Sequence, residues 1–188
     1  RVNPFLCEGC GACEYFCSAV KGMEKVKSGW IKSKITEYGF PLMVGQLKVG
    51  EAGSGKIVTE IKKRADDFKA ELQIIDSAPG TGCPVNAALQ DVDFVVLVTE
   101  PTKSGFADLK EVKNVVDHFD LNFGVVINKW DVNKEVYEEI KNWVADNYLG
   151  RINYEQGVVE AASALTPIMK SDLKIKSQIK EIKNRINI

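Results

Sequence analysis

"DFVVLVTE", residues 93–100, carries five consecutive apolar residues from Phe94 to Val98, three of them valine. Such a run is short for a helix and rich in β-branched side chains, so it reads as a strand buried on both faces. Two further runs, "LQIID" (72–76) and "FGVVIN" (123–128), have the same character. Amphipathic stretches at 56–70, 83–91, 104–119 and 133–147 have helical periodicity and alternate with them. This alternation implies an α/β fold: a doubly wound, mostly parallel sheet with right-handed crossovers. Ligands of such sheets gather at the carboxyl ends of the strands, which directs attention to the loops after residues 76, 100 and 128. Upstream, "WIKSKIT" (30–36) alternates in strand fashion and leads into a second extended segment, "FPLMVGQLKVG" (40–50).

The composition excludes several classes. With 188 residues, 45% hydrophobic content and a formal charge of -1, the chain matches a soluble globular protein and lacks the basic footprint of a nucleic-acid binder. No apolar run approaches the roughly 20 residues of a membrane helix, and no signal peptide opens the chain, so a cytoplasmic location is expected. At 170–188, Ile175, Ile179, Ile182 and Ile186 recur at helical spacing beside Lys174, Lys176, Lys180 and Lys183. We expect a final helix docked on the sheet with a solvated basic face. Membrane contact through it is not expected, because its apolar face has no Trp or Phe.

Four of the five cysteines are clustered: "CEGCGACEYFC" spaces Cys7, Cys10, Cys13 and Cys17 as C-x2-C-x2-C-x3-C. This is the bacterial ferredoxin spacing for a [4Fe–4S] cluster, with Gly9 and Gly11 letting the backbone come close to the sulfides. Zinc is the competing ligand, but its sites usually present two separated Cys pairs. In two-cluster ferredoxins the fourth cysteine ligates the other cluster, so a sister motif is expected upstream of Arg1. Cys83 is an alternative partner. It otherwise reads as a buried structural cysteine, or as a thiol activated at a helix N-terminus.

Three segments suggest nucleotide chemistry. "VGEAGSGKIVTEIKKRA" (49–65) approximates the phosphate loop G-x4-G-K-[ST], with Gly50, Gly55 and Lys56 in place but Ile57 where a hydroxyl should bind Mg²⁺. In "LQIIDSAPGTG" (72–82), Asp76 after a strand suits a carboxylate acting through magnesium, or else a helix cap. "NKWD" (128–131) matches the N-K-x-D base-reading pattern of GTP-binding proteins, or else a polar turn.

Taken in order, "LKVGEAGSGKIVTEIKK", "IIDSAPGTGCPV", "DFVVLVTEPTKSGFADLK", "GVVINKWD" and "GRINYEQGVVEA" downstream of a ferredoxin motif resemble the MinD-superfamily P-loop ATPases with an inserted ferredoxin domain. These belong to the broader CobQ/CobB/MinD/ParA-like nucleotide-binding group. The resemblance implies a SIMIBI-type P-loop NTPase fold with a small N-terminal ferredoxin-like iron–sulfur segment. It places the second half of the ferredoxin insert at 1–38 and the C-terminal part of the ATPase domain at 39–188. The family's working phosphate loop lies ahead of the insert, which makes 49–56 an imitation and puts the true loop upstream of Arg1. Carried over by position, Asp76 is the switch Asp that organises Mg²⁺ and the attacking water, and Gly80 the Gly that approaches the terminal phosphate. Asn128 is the adenine contact, favouring ATP over GTP despite Asp131. Ala78 and Asn153 stand where the family has Pro. The implied protein is a homodimeric ATPase coupled to [4Fe–4S] clusters for electron transfer or cluster delivery, with a redox or iron–sulfur partner protein. Without its loop, this chain alone is expected to be inactive. The rival readings are a ferredoxin-like electron carrier on a non-hydrolysing nucleotide fold, and a GTPase using the NKWD segment.

Overall fold

The computed structural model describes residues 3, 7, 9–19 and 26–186. The chain forms two compact units, residues 1–88 and 89–188.

In the first unit, Gly11 at φ 77° turns the chain into a short helix, α1 (Ala12–Phe16). Strands β1 (Gly29–Ile35) and β2 (Pro41–Leu47) form an antiparallel hairpin with Ile31 opposite Gly45. Gly39 at φ 82° closes its turn, where the Thr36 N–H and hydroxyl both donate to the Phe40 carbonyl at 2.9 Å. The expected boundary between 38 and 39 falls within this turn. Helix α2 (Ser54–Ala65) packs on one face of the hairpin. Gly45 permits that approach, since a Cβ there would lie 2.5 Å from Ile61 Cδ1 and 2.9 Å from Ile57 Cδ1. Lys62 of α2 donates to the carbonyls of Ala87 and Ala88 at 3.4 and 3.2 Å, at the end of α3 (Cys83–Leu89).

The strand expected over 72–76 does not form: these residues are irregular, and Ile74 is 88% exposed. A parallel strand exists only when neighbours take up its N–H and C=O groups, and no described residue pairs with this segment. Cys83, expected to be buried, is exposed.

The second unit is an α/β layer on a parallel sheet of β3 (Val95–Thr99), β4 (Phe123–Asn128) and β5 (Tyr148–Ile152), in that order. Helix α4 (Lys103–His118) links the first two strands and α5 (Lys134–Val144) the second two. Both start on side-chain caps: Thr102 Oγ1 accepts from the Gly105 N–H, and Asn133 Oδ1 from the Val136 N–H. The central strand β4 is buried from Gly124 to Ile127, as its unbroken apolar run requires. Val116, Val125, Ile127, Tyr137 and Ile140 are essentially inaccessible. Each such side chain contributes about 1.5–3 kcal/mol of hydrophobic stabilisation.

Helices α6 (Gln156–Ser163) and α7 (Ile175–Arg185) complete the unit. The expected basic C-terminal helix is α7. Its Ile182 packs with Val126 and Leu149, and Arg185 donates to the Leu149 carbonyl at 3.2 Å. No described helix is long and apolar enough to cross a membrane. Strand β5 and helix α6 carry weak signals in the sequence, because Gly150 and Arg151 interrupt the apolar run of β5.

Candidate functional site

In the second unit, three loops leave the carboxyl ends of the strands: Thr99–Thr102 after β3, Asn128–Asp131 after β4 and Ile152–Glu155 after β5. Side chains fix all three. The buried Thr99 hydroxyl donates to the Gly105 carbonyl at 2.9 Å, locking the first loop to the start of α4. Lys129, in the left-handed region at φ 53°, reaches across to Glu100 with an Nζ–Oε1 distance of 2.8 Å. The hydrogen bond and charge of Glu100 raise the Lys129 pKa above its ordinary 10.5.

The third loop is held from two sides. Asn153 Oδ1 accepts from Trp130 Nε1 at 3.0 Å and from Gln178 Nε2, while the Asn153 N–H donates to Gln178 Oε1 at 3.0 Å. Asp131 Oδ1 accepts from the Tyr154 N–H at 2.8 Å. Arg151 stacks its guanidinium 3.8 Å from the Trp130 ring centroid. The Glu155 carboxylate accepts from the N–H groups of Lys174 and Ile175 at 3.3 and 3.2 Å, tying the loop to the start of α7. Below this network, Tyr137 and Tyr148 share a hydroxyl contact of 3.0 Å. Burial, then the Tyr137 hydrogen bond, push the Tyr148 pKa well above its ordinary value.

Of the expected site residues, Asn128 and Asp131 therefore lie together. The Asn128 amide has no partner among the described residues, whereas one carboxylate oxygen of Asp131 is engaged with backbone. The Glu100–Lys129 pair and Gln178 gave no recognisable signal beyond the unassigned "EPT" segment. Asp76 and Gly80 belong to the first unit, both exposed, with Gly80 at φ 89°.

The phosphate-loop look-alike has a local explanation. Gly50 at φ 81° and Gly53 at φ 95° turn the chain into α2. Ile57, in the place of a magnesium-binding hydroxyl, lies against Gly45 of the hairpin. Thr59 donates its hydroxyl to the Gly55 carbonyl at 3.2 Å, and Lys56 Nζ donates to the Gly9 carbonyl at 2.6 Å.

Gly9 lies in the cysteine loop, with φ 61°. Cys7 is half-buried there, and Cys10, Cys13 and Cys17 are exposed. The donor chemistry, four thiols on a turn opened by two left-handed glycines, suits an iron–sulfur centre. Among the described residues, however, no three His, Cys, Asp or Glu side chains are gathered closely enough to hold a metal ion.

The chain has a MinD-like α/β fold. It superposes on the Pyrococcus furiosus cell division ATPase MinD with a TM-score of 0.57 at 21% identity, over 69% of this chain and 56% of that one. The Aquifex aeolicus MinD cell division protein gives a TM-score of 0.63 at 21% identity, covering 83% and 70%.

No protein-family model matches the chain. In sequence it is similar to two uncharacterized proteins of Methanocaldococcus jannaschii. One is 44% identical over 139 residues, 73% of this chain and 49% of that protein. The other is 32% identical over 181 residues, 96% and 62%. An uncharacterized ATP-binding protein of the same organism is 29% identical over 119 residues, 62% and 46%. The chain thus spans about half to two thirds of the length of these relatives.

Proposed function

We propose that the chain is part of an ATP-binding, ATP-hydrolysing protein whose nucleotide state is coupled to an iron–sulfur centre. The observation that carries the nucleotide half is the trio of braced loops at the carboxyl edge of a parallel sheet, with the Asn128 amide at its centre. The name of the ATP-binding relative supports ATP as the nucleotide. The engagement of Asp131 with the Tyr154 N–H favours ATP over the GTP reading, because a guanine-reading carboxylate must turn its oxygens to the base.

In this proposal Asn128 contacts adenine, and Asp131 shapes the pocket from behind through the Tyr154 backbone. Asp76 orients magnesium and the attacking water, and Gly80 brings its backbone to the terminal phosphate; the exposed, irregular 72–80 segment is the part that responds to nucleotide. Phosphoryl transfer is then a matter of charge stabilisation and positioning. Residues 1–38 supply the sulfur loop, and 39–188 the C-terminal part of the ATPase. Cys7, Cys10, Cys13 and Cys17 would hold a [4Fe–4S] centre, which supplies one-electron chemistry or is itself the delivered cargo. The working protein is a cytoplasmic homodimer served by a redox or iron–sulfur partner.

Calorimetric titration of the complete protein with ATP and with GTP, each with Mg²⁺, tests the nucleotide half. ATP should bind more tightly, and Asn128→Ala should weaken ATP by roughly tenfold, the loss of one good hydrogen-bonded contact. GTP preference would overturn the reading in favour of a GTPase. No binding of either nucleotide would favour an electron carrier on an inactive nucleotide fold.

A further inference from the structure

The side-chain amide of Asn153 is pinned in one orientation by groups that can only donate. Trp130 Nε1 lies 3.0 Å from one end of that amide, and an indole N–H has no acceptor capacity, so this end is the oxygen. Gln178 is fixed by the same logic. One end of its amide takes the Asn153 backbone N–H at 3.0 Å and must be Oε1, which leaves Nε2 to donate to Asn153 Oδ1. The indole is itself held, with the Arg151 guanidinium 3.8 Å and the Tyr137 ring 5.1 Å from its ring centroid. Asn153 Oδ1 thus accepts twice, and Nδ2 keeps two N–H donors with no partner among the described residues.

The fold sets this donor beside Asn128. That residue ends β4 and is in register with Ile152, which ends β5, so Asn153 stands one step beyond the neighbouring strand end. Asp131 Oδ1 is engaged by the N–H of Tyr154, the next residue along. In the N-K-x-D pattern that carboxylate accepts from the N–H groups of guanine. Here it holds the backbone, and the side chain offered one residue away is a donor.

We propose that Asn153 is an adenine-selecting residue whose Nδ2 donates to ring nitrogen N1 of the base, and that Trp130 and Gln178 are positioning residues that hold its amide in the donating orientation. This rests on the nucleotide reading given under Proposed function. Adenine N1 is an acceptor, whereas guanine carries an N–H at that position. A donor fixed against rotation pairs with the first and opposes the second. Polar groups left unpaired in this way reject the wrong ligand far more strongly than a missing methylene does. Through Gln178, α7 becomes part of the base-reading apparatus.

The test uses the complete protein as wild type, Asn153→Asp, Asn153→Ala and Gln178→Leu, each titrated calorimetrically with ATP and with GTP in Mg²⁺. Circular dichroism and thermal midpoints check that the variants fold. Asn153→Asp keeps an oxygen for Trp130 and Gln178 but exchanges the free donor for an acceptor. Its added negative charge repels both triphosphates alike, so the ratio of the two affinities isolates the base. Wild type should prefer ATP, and Asn153→Asp should cut that preference by roughly tenfold or more, with one hydrogen bond lost to adenine and one gained by guanine. Asn153→Ala should weaken ATP by roughly tenfold and leave GTP nearly unchanged. Gln178→Leu frees the amide to rotate and should lower the preference by less than Asn153→Asp does.

If Asn153→Asp weakens ATP and GTP by the same factor, or changes neither, Asn153 only braces its loop; this inference falls and the nucleotide reading stands. An unchanged preference in Gln178→Leu would overturn the positioning role. Wild type that binds neither nucleotide, or prefers GTP, overturns the ATP reading and this inference with it.

Discussion

At the scale of single residues, the second unit shows how a polar side chain can resemble a ligand contact while it braces a loop. Asp131 holds the Tyr154 N–H at 2.8 Å. Asp131→Ala should cost about 1 kcal/mol in urea unfolding, typical of one exposed hydrogen bond, and leave the ratio of ATP to GTP affinity unchanged. Two titrating groups make a prediction for alkaline solution. Glu100 raises the pKa of Lys129, and burial raises that of Tyr148. A folded-state pKa above the unfolded one means that the protonated form favours folding. Both contributions are therefore fully present below the ordinary pKa values, near pH 10, and are lost as pH rises through the raised ones. The thermal midpoint should fall above pH 10, and less steeply in a Lys129→Met, Tyr148→Phe double variant.

At the scale of elements, close approaches decide what can be exchanged. Gly45 lets α2 lie on the hairpin, so Gly45→Val would force the side chain against Ile57 and Ile61. Overpacking of this kind costs about 1–3 kcal/mol, measurable as a lower thermal midpoint. Helix α7 has its apolar residues in the core, with Ile175 at 3% and Ile182 at 9% exposure. Ile182→Ala should destabilise the second unit by about 2–5 kcal/mol. The intact protein should not co-sediment with anionic vesicles, since the face that would enter the bilayer is already occupied.

The strands and helices best marked in the sequence are those whose neighbours are present in the fold, as β3 and β5 are on either side of β4. Strand β4 appears over the residues its apolar run marks, and α4 begins one position ahead of the expected 104. The 72–76 segment has the composition of a strand but no partner among the described residues, and periodicity cannot show whether a neighbour is present. The candidate site was legible at Asn128 and Asp131, which sit at a strand end. The long-range pairs Lys129–Glu100, Asn153–Gln178 and Lys56–Gly9 were not, because nothing local in the chain records which side chains the fold brings together.

Across the whole molecule, the apolar surface is unevenly covered. Val96 and Val98 of β3 are 41% and 63% exposed, and Leu72 and Ile74 are more than half exposed. A buried parallel sheet ordinarily covers such residues. These uncovered faces accompany a chain that spans only part of the length of its relatives. The complete protein should accordingly be better protected. Limited proteolysis should cut the isolated chain in the 70–82 segment and spare that segment in the complete protein.

The thiols have a practical consequence at the bench. Cys10, Cys13, Cys17 and Cys83 are all open to solvent, and accessible thiolates are the ones oxygen and peroxide attack. Material handled in air should run as a ladder of cross-linked species on a non-reducing gel, collapsing to a single band with dithiothreitol. Preparations for any assay of this protein accordingly belong in a glove box from lysis onward.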